Sequence, residues 1–260
     1  MSIEKKVNDN KLSRRGLLAG AGKIAAGAAG MAIASSGATG MLSEVHAGKT
    51  KFPWGYKKID PARAGHIAYE GWYQKFCCYG ATRGILLPLQ QDIGEPYTSF
   101  PIEATMWGHG GAVGWGSLCG SLNGAGLATS LLLGEKGEHI IDDVLSWYTK
   151  TKLPLYKPEK PRAEFKQVNK SDSTLCHISV GKWMRKEGVT FHSPQRYERC
   201  ARITADVAIK TVELLNDWVD GKYKITRRSQ VKMYQMPTEN NCKQCHGTET
   251  PPVPEYGYRT

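Results

Sequence analysis

Near its C-terminus the chain reads Asn241-Cys242-Lys243-Gln244-Cys245-His246-Gly247, a Cys-x-x-Cys-His run with prolines on both sides. That spacing is the attachment signature of a c-type haem. Two thiols three residues apart can each add to one haem vinyl group, and the adjacent histidine is then held beneath the iron. Covalent tethering lets a short segment with little core of its own keep a large cofactor. A zinc site would want a second Cys/His pair at similar spacing, and a thioredoxin-like dithiol would want a βαβ context. Neither accompanies the motif. The expectation is one haem c per chain, with Cys242 and Cys245 as thioethers and His246 as proximal iron ligand.

Haem attachment of this kind happens outside the cytoplasm, and the N-terminus agrees. Ser13-Arg14-Arg15-Gly16-Leu17-Leu18 is a twin-arginine pattern, preceded by Lys5, Lys6 and Lys11. Residues 17–37 follow as an Ala/Gly-rich stretch, too soft for a membrane span of about 20 strongly apolar residues. Val45-His46-Ala47 offers a small-x-small cleavage site. Residues 1–47 are therefore expected to be a twin-arginine signal peptide. The mature protein would be periplasmic, with no stable membrane span. Twin-arginine export carries folded proteins, often because a cofactor is inserted before export. Haem c is not such a cofactor, so the signal points to a second centre.

Removing the signal's six basic and three acidic residues leaves 29 Lys+Arg against 21 Asp+Glu, a net charge of +8. The excess is spread along the chain. It suits docking to an acidic redox partner or an anionic surface, while nucleic acid is an unsuitable partner for an exported protein.

The apolar periodicity is helical throughout and predicts an all-α fold. Asp60-Pro61 is a helix start, with Asp as N-cap and Pro at the first position. A helix then runs to about Leu87, with Cys77 and Cys78 adjacent in its middle, so only one of them can point squarely inward. Residues 88–108 read as a loop. The glycine-rich stretch from Gly108 to Ala125 reads as a buried helix whose backbone approaches something closely. Further helices are expected over 137–152 and 173–188, and from Ser193-Pro194 to about Gly221. Residues 48–225 thus form a helical cysteine-rich domain. Residues 226–260 form a small, largely irregular haem-binding segment.

Beyond the haem motif lie Cys77, Cys78, Cys119, Cys176 and Cys200. Disulfides are allowed in the periplasm. Four thiolates converging from different helices can instead hold an iron–sulfur cluster. Twin-arginine export favours the cluster, because such clusters are assembled in the cytoplasm.

Four blocks carry a resemblance: Cys77-Cys78-Tyr79-Gly80; Gly110-Gly111-x-x-Gly114-Trp115-Gly116-x-Leu118-Cys119-Gly120-x-Leu122; Cys176-His177-x-Ser179-Val180; and Glu198-Arg199-Cys200-Ala201. Together they resemble the C-GCAxxG-C-C redox family. With the haem motif added, residues 60–250 are similar to the split-Soret cytochromes c of sulfate-reducing bacteria. The resemblance implies an exported, homodimeric electron-transfer protein with a 2Fe–2S centre. It also implies bis-histidinyl haems stacked near the dimer axis, with an axial histidine donated across the interface. On this pattern the cluster ligands would be Cys77, Cys119, Cys176 and Cys200, with Cys78 as the alternative to Cys77.

Two departures stand out. The strict GCAxxG string is absent around Phe76-Cys77-Cys78-Tyr79-Gly80-Ala81. The family carries two haems per subunit, whereas this chain has one full motif and a degenerate Ser173-x-x-Cys176-His177. Using the degenerate copy would remove Cys176 from the cluster.

For the distal haem ligand, His109 in the glycine block and His192 before a helix start are preferred over His66, with either subunit as donor. Bis-histidine ligation lowers a haem potential and methionine raises it. No Ser-His-Asp arrangement, phosphate loop or carboxylate pair marks an enzyme. The leading function is therefore electron transfer between haem, cluster and periplasmic redox partners. The alternatives are a haem/iron–sulfur oxidoreductase acting on a small molecule, and a thiol/disulfide sensor.

Overall fold

The computed structural model describes residues 51–225. The haem motif of Cys242, Cys245 and His246, and the signal at 1–47, lie outside them. Among these residues there are five α-helices: α1 (Pro61–Asp92), α2 (Gly120–Leu133), α3 (Gly137–Lys150), α4 (Cys176–Glu187) and α5 (Pro194–Val219). Short 3-10 turns cover Tyr97–Ser99, Ile102–Gly108 and Gly134–Lys136. No strand occurs among the described residues, only two isolated bridges. The all-α expectation holds.

The cap residues act as their chemistry predicts. The Asp60 carboxylate accepts from the backbone N–H of Ala62 and Arg63, both at 3.1 Å, ahead of Pro61. Ser193 accepts from Arg196 N–H at 3.2 Å ahead of Pro194. These oxygens satisfy N–H groups that have no partner inside the helix. Gly188 ends α4 in the left-handed conformation, at φ 77°.

Helix α1 is not the single rod the periodicity predicts. It breaks at Lys75 and Phe76, where Phe76 has φ 64° and ψ −168°. The two arms fold back on each other as a tight hairpin. A Cβ on Gly80 would lie 2.7 Å from the Ala68 carbonyl oxygen, and one on Gly84 would lie 2.6 Å from that of Ala64. Small residues on facing positions are what allow this approach, which a helical periodicity cannot report. Helix α5 lies along the hairpin, with Ala208 against Gly84 and Thr204 against Gly80. Helix α2 packs on the other side through Gly124. The apolar core beneath includes Ile85, Leu86, Leu89, Leu122, Leu132, Ile140 and Leu215, all fully or nearly fully buried. Each such side chain contributes about 1.5–3 kcal/mol on leaving water.

The glycine-rich stretch corrects a second expectation. Helix begins only at Gly120; residues 109–118 form a compact loop with positive φ at Gly110, Gly111, Ala112, Val113, Gly114 and Gly116. Backbone bonds lock it, from Val113 N–H to Trp107 O (2.8 Å) and from Gly116 N–H to Gly110 O (2.9 Å). So many left-handed positions exclude a helix and favour glycine, which holds four of the six. The loop is also stitched to the start of α4. Cys119 N–H donates to Thr174 O at 2.9 Å, and Cys176 N–H to Ser117 O at 2.7 Å. This bridge sets Cys119 and Cys176 side by side.

Candidate metal centre

Four elements deliver one cysteine each to a single cavity of about 470 Å³. Cys77 opens the second arm of α1, immediately after the break at Phe76. Cys119 is the N-cap of α2 and Cys176 is the first residue of α4. Cys200 lies in the second turn of α5. Three of the four therefore sit at helix N-termini, where unpaired N–H groups and the helix dipole favour negative charge. The break in α1 is what aims Cys77 into the cavity.

Cys78, its neighbour, points elsewhere. It is buried against Gly108 and the Thr82 and Thr105 hydroxyls and does not line the cavity. Burial, then the nearby Cys119, pushes its thiol up to about 12. The structure thus separates the two cysteines that sequence left as alternatives. Cys77 faces the other three and Cys78 faces the core. Gly120 and Gly108 line this crowded turn. A Cβ on Gly120 would collide with the Cys77 sulfur and the Gly108 carbonyl.

All five described cysteines are free thiols. Burial is the main reason the Cys77 thiol stands well above its ordinary value, with Cys119, Cys176 and Cys200 adding to it. Cys176 is raised by burial first, then by Cys119 and Cys200. Four thiols this close cannot ionise together unless a cation is shared among them. Among the described residues, no three His, Cys, Asp or Glu side chains converge closely enough to hold a single metal ion. The four cysteines line the wider cavity instead.

The rest of the lining is electropositive. It contains Arg196 and Arg199, one turn apart on α5, together with His109, His177 and His192, but no Asp or Glu. Arg199 is 2% exposed. It donates to the Ser179 carbonyl and hydroxyl oxygens at 3.2 and 2.8 Å and approaches Cys200 Sγ at 3.9 Å, while its Nε has no partner. Burial works to lower its pKa, but Cys200, Tyr148 and Cys119 offset this and hold it above the ordinary value. No carboxylate hydrogen-bonds to it, although the buried Asp206 lies within electrostatic range, and a guanidinium this buried favours a further anion close by. Cysteine sulfur is the donor set that iron–sulfur groups require. The residues present therefore fit an anionic, thiolate-ligated iron–sulfur group.

Of the histidines expected near the haem iron, His109 and His192 belong to this cavity. The His109 ring packs on Phe76 with centroids 5.2 Å apart, and His192 Nδ1 lies 3.3 Å from the Tyr197 hydroxyl. His66 is exposed on the first arm of α1 and does not line the cavity. Sequence reading did not single out the two arginines, although Arg199 stands inside one of the cysteine blocks. Nothing in the sequence signals that no carboxylate hydrogen-bonds to it.

Comparison with known proteins places these features. Residues 76–214 match the family described as "Putative redox-active protein (C_GCAxxG_C_C)". The split-Soret cytochrome c of Desulfovibrio desulfuricans is 36% identical over 242 residues, covering 90% of this chain and 82% of the relative. The chain belongs to the split-Soret cytochromes c. A solved structure of the Desulfovibrio desulfuricans split-Soret cytochrome c, reported for a novel iron centre, superposes with a TM-score of 0.65 at 32% identity. It covers 77% of this chain and 87% of that one. The family match begins at the α1 break and ends within α5, so it contains all four cavity cysteines. No helix among the described residues is long and apolar enough to cross a membrane.

Proposed function

We propose that this electron-transfer protein holds two redox stations: a 2Fe–2S centre on Cys77, Cys119, Cys176 and Cys200, and one haem c on Cys242, Cys245 and His246. The observation that carries the first is the convergence of four thiols from four elements on a cavity with a buried arginine to which no carboxylate hydrogen-bonds and with no acidic lining. Such a group, when bound, supplies one-electron chemistry at low potential. The chain's own residues supply the ligands, the positive counter-charge and the exclusion of bulk water. The iron centre reported for the Desulfovibrio desulfuricans relative supports the same reading.

The pattern Ser13-Arg14-Arg15 supports periplasmic export by the twin-arginine route, with the cavity group inserted before export and the haem attached after it. The family supports a homodimer, with the distal haem ligand drawn from His109, His192 or His66 of either subunit. A thiol/disulfide sensor is less consistent with the site. Reactive cysteines need depressed pKa values, and here Cys77, Cys78 and Cys176 are all raised.

The test is an anaerobic redox titration followed by electron paramagnetic resonance. The reduced protein is expected to show a non-haem signal of about one spin per chain, absent from Cys77→Ser and present in Cys78→Ser. Haem signals alone in the wild-type protein would contradict the proposal.

A further inference from the structure

Exposed apolar side chains gather at the mouth of the cysteine cavity. Of the thirteen large hydrophobic residues exposed among the described residues, Phe76, Met106, Trp107, Val113, Trp115 and Phe191 belong to this region. Phe76 and Phe191 line the cavity, as do the glycines on either side of Trp115. Phe76, Met106 and Trp107 also line an adjoining shallow cleft that shares His109 with it. Trp115 is 85% exposed, the most exposed of the thirteen.

This collar is held in place at a conformational cost. Phe76, Ala112 and Val113 all have positive φ without being glycine. Each such residue costs about 1–3 kcal/mol, and strain of this kind persists where the surrounding fold imposes it, often at functional sites. A contiguous exposed apolar region on a soluble domain marks an interaction surface.

Charge identifies the occupant. No Asp or Glu lines either the cavity or the cleft, whereas Lys75, Arg196 and three histidines do. The Arg196 guanidinium stands over both the Phe191 and Tyr197 rings, at 4.1 and 4.4 Å, with its Nε donating to Phe191 O at 2.6 Å. It has no carboxylate partner, so its outer nitrogens are free to meet one. A second copy of this chain would bring the same cations to the contact. The chain's own residues 226–260 carry five Lys+Arg against three Glu, and this face is open to a partner when the distal haem ligand is His66, which lies outside the cavity.

We propose that this collar is the docking face for an acidic electron-transfer protein. Its carboxylates would meet Lys75 and Arg196, and an apolar patch would seat on Trp115 and Phe191. This rests on the electron-carrier reading above. One electron passes between the partner and the group in the cavity, and no bond is made or broken.

Stopped-flow mixing of the full-length holoprotein with a reduced plant-type ferredoxin, used as the acidic probe, tests it. Bleaching of the non-haem absorbance gives the rate. Raising the salt from about 20 to about 500 mM should slow the reaction steeply, because steering between opposite charges is screened. Trp115→Ser, a change at a surface position, should slow it about tenfold, as expected for truncating a central aromatic anchor. Lys75→Glu should slow it as well. Dithionite, a small reductant, should bleach all variants equally. A ferredoxin rate untouched by Trp115→Ser, or rising with salt, would overturn the docking face. So would a Trp115→Ser protein that loses its dimer while keeping its rate, since a second copy would then be the occupant. If dithionite bleaches no non-haem absorbance in the wild-type protein, the electron-carrier reading itself fails.

Discussion

Replacing Arg199 with methionine should push the metal-free and metal-loaded protein in opposite directions. In the metal-free protein burial holds the Cys77 and Cys176 thiols neutral, and Arg199 is a 2% exposed guanidinium with an unpaired Nε and no carboxylate hydrogen-bonded to it. Methionine keeps the apolar volume and removes the charge. It gives up two hydrogen bonds to Ser179, each worth about 1 kcal/mol. Tyr148 still donates to the Ser179 hydroxyl at 2.7 Å, so that oxygen keeps a partner. Exchanging a poorly compensated buried charge for a packed apolar side chain stabilises by about 1–4 kcal/mol with the lost hydrogen bonds included, and a gain at the low end, about 1–2 kcal/mol, is expected. For a domain of this size that raises Tm by about 2–8 °C. With thiolates in place the sign reverses. At 3.9 Å and an effective dielectric of about 20, a unit charge interacts with Arg199 by about 4 kcal/mol. Charge added on reduction is shared among four sulfurs and the metal, so about half of this applies. A loss of about 2 kcal/mol lowers a one-electron midpoint potential by about 90 mV. Differential scanning calorimetry of both forms and a potentiometric titration measure these effects. A variant that destabilises both forms and leaves the potential unchanged would refute the counter-charge argument and make Arg199 a purely structural residue.

Three further predictions follow from local geometry. Cys77→Ser should lose non-haem iron while Cys78→Ser retains it, as read by metal analysis; equal loss in both would mean that Cys78 is also a ligand. Gly120→Ala places a Cβ 2.5 Å from the Gly108 carbonyl and closer still to the Cys77 sulfur. Overpacking of this kind costs about 1–3 kcal/mol, and denaturant unfolding should show it together with depleted non-haem iron and intact haem. Asp206 is buried and accepts from Leu155 and Tyr156 N–H at 2.8 and 2.7 Å, with burial raising its carboxyl to about 7. The folded value lies above the unfolded one of about 3.9. Its contribution to stability is therefore complete below about pH 4 and lost as pH rises through about 7. Asp206→Asn should flatten that slope in thermal melts, and an unchanged slope would remove Asp206 as its source.

Helix caps and apolar spacing made most of the fold legible in advance. Asp60-Pro61 and Ser193-Pro194 open helices as their side chains predict, and α3, α4 and α5 lie close to their expected ranges. The break in α1 was hidden because Lys75 and Phe76 are not turn-forming residues. Their conformation is imposed by the Ala64, Ala68, Gly80 and Gly84 contacts between the two arms. The glycine block misled because glycine serves close helix packing and left-handed turns alike. Here Gly110–Gly116 serve the loop, while Gly120 and Gly124 serve the packing. The cysteines were recognisable as a set, but their common cavity depends on that break and that loop. Choosing between Cys77 and Cys78 needed the same break.

The account turns on whether the described domain carries iron of its own. Iron, acid-labile sulfide and haem should be measured per chain on protein purified without oxygen. About three irons, two sulfides and one haem are expected, with iron falling to match haem in Cys77→Ser. Iron equal to haem, with no sulfide, in the wild-type protein would contradict it.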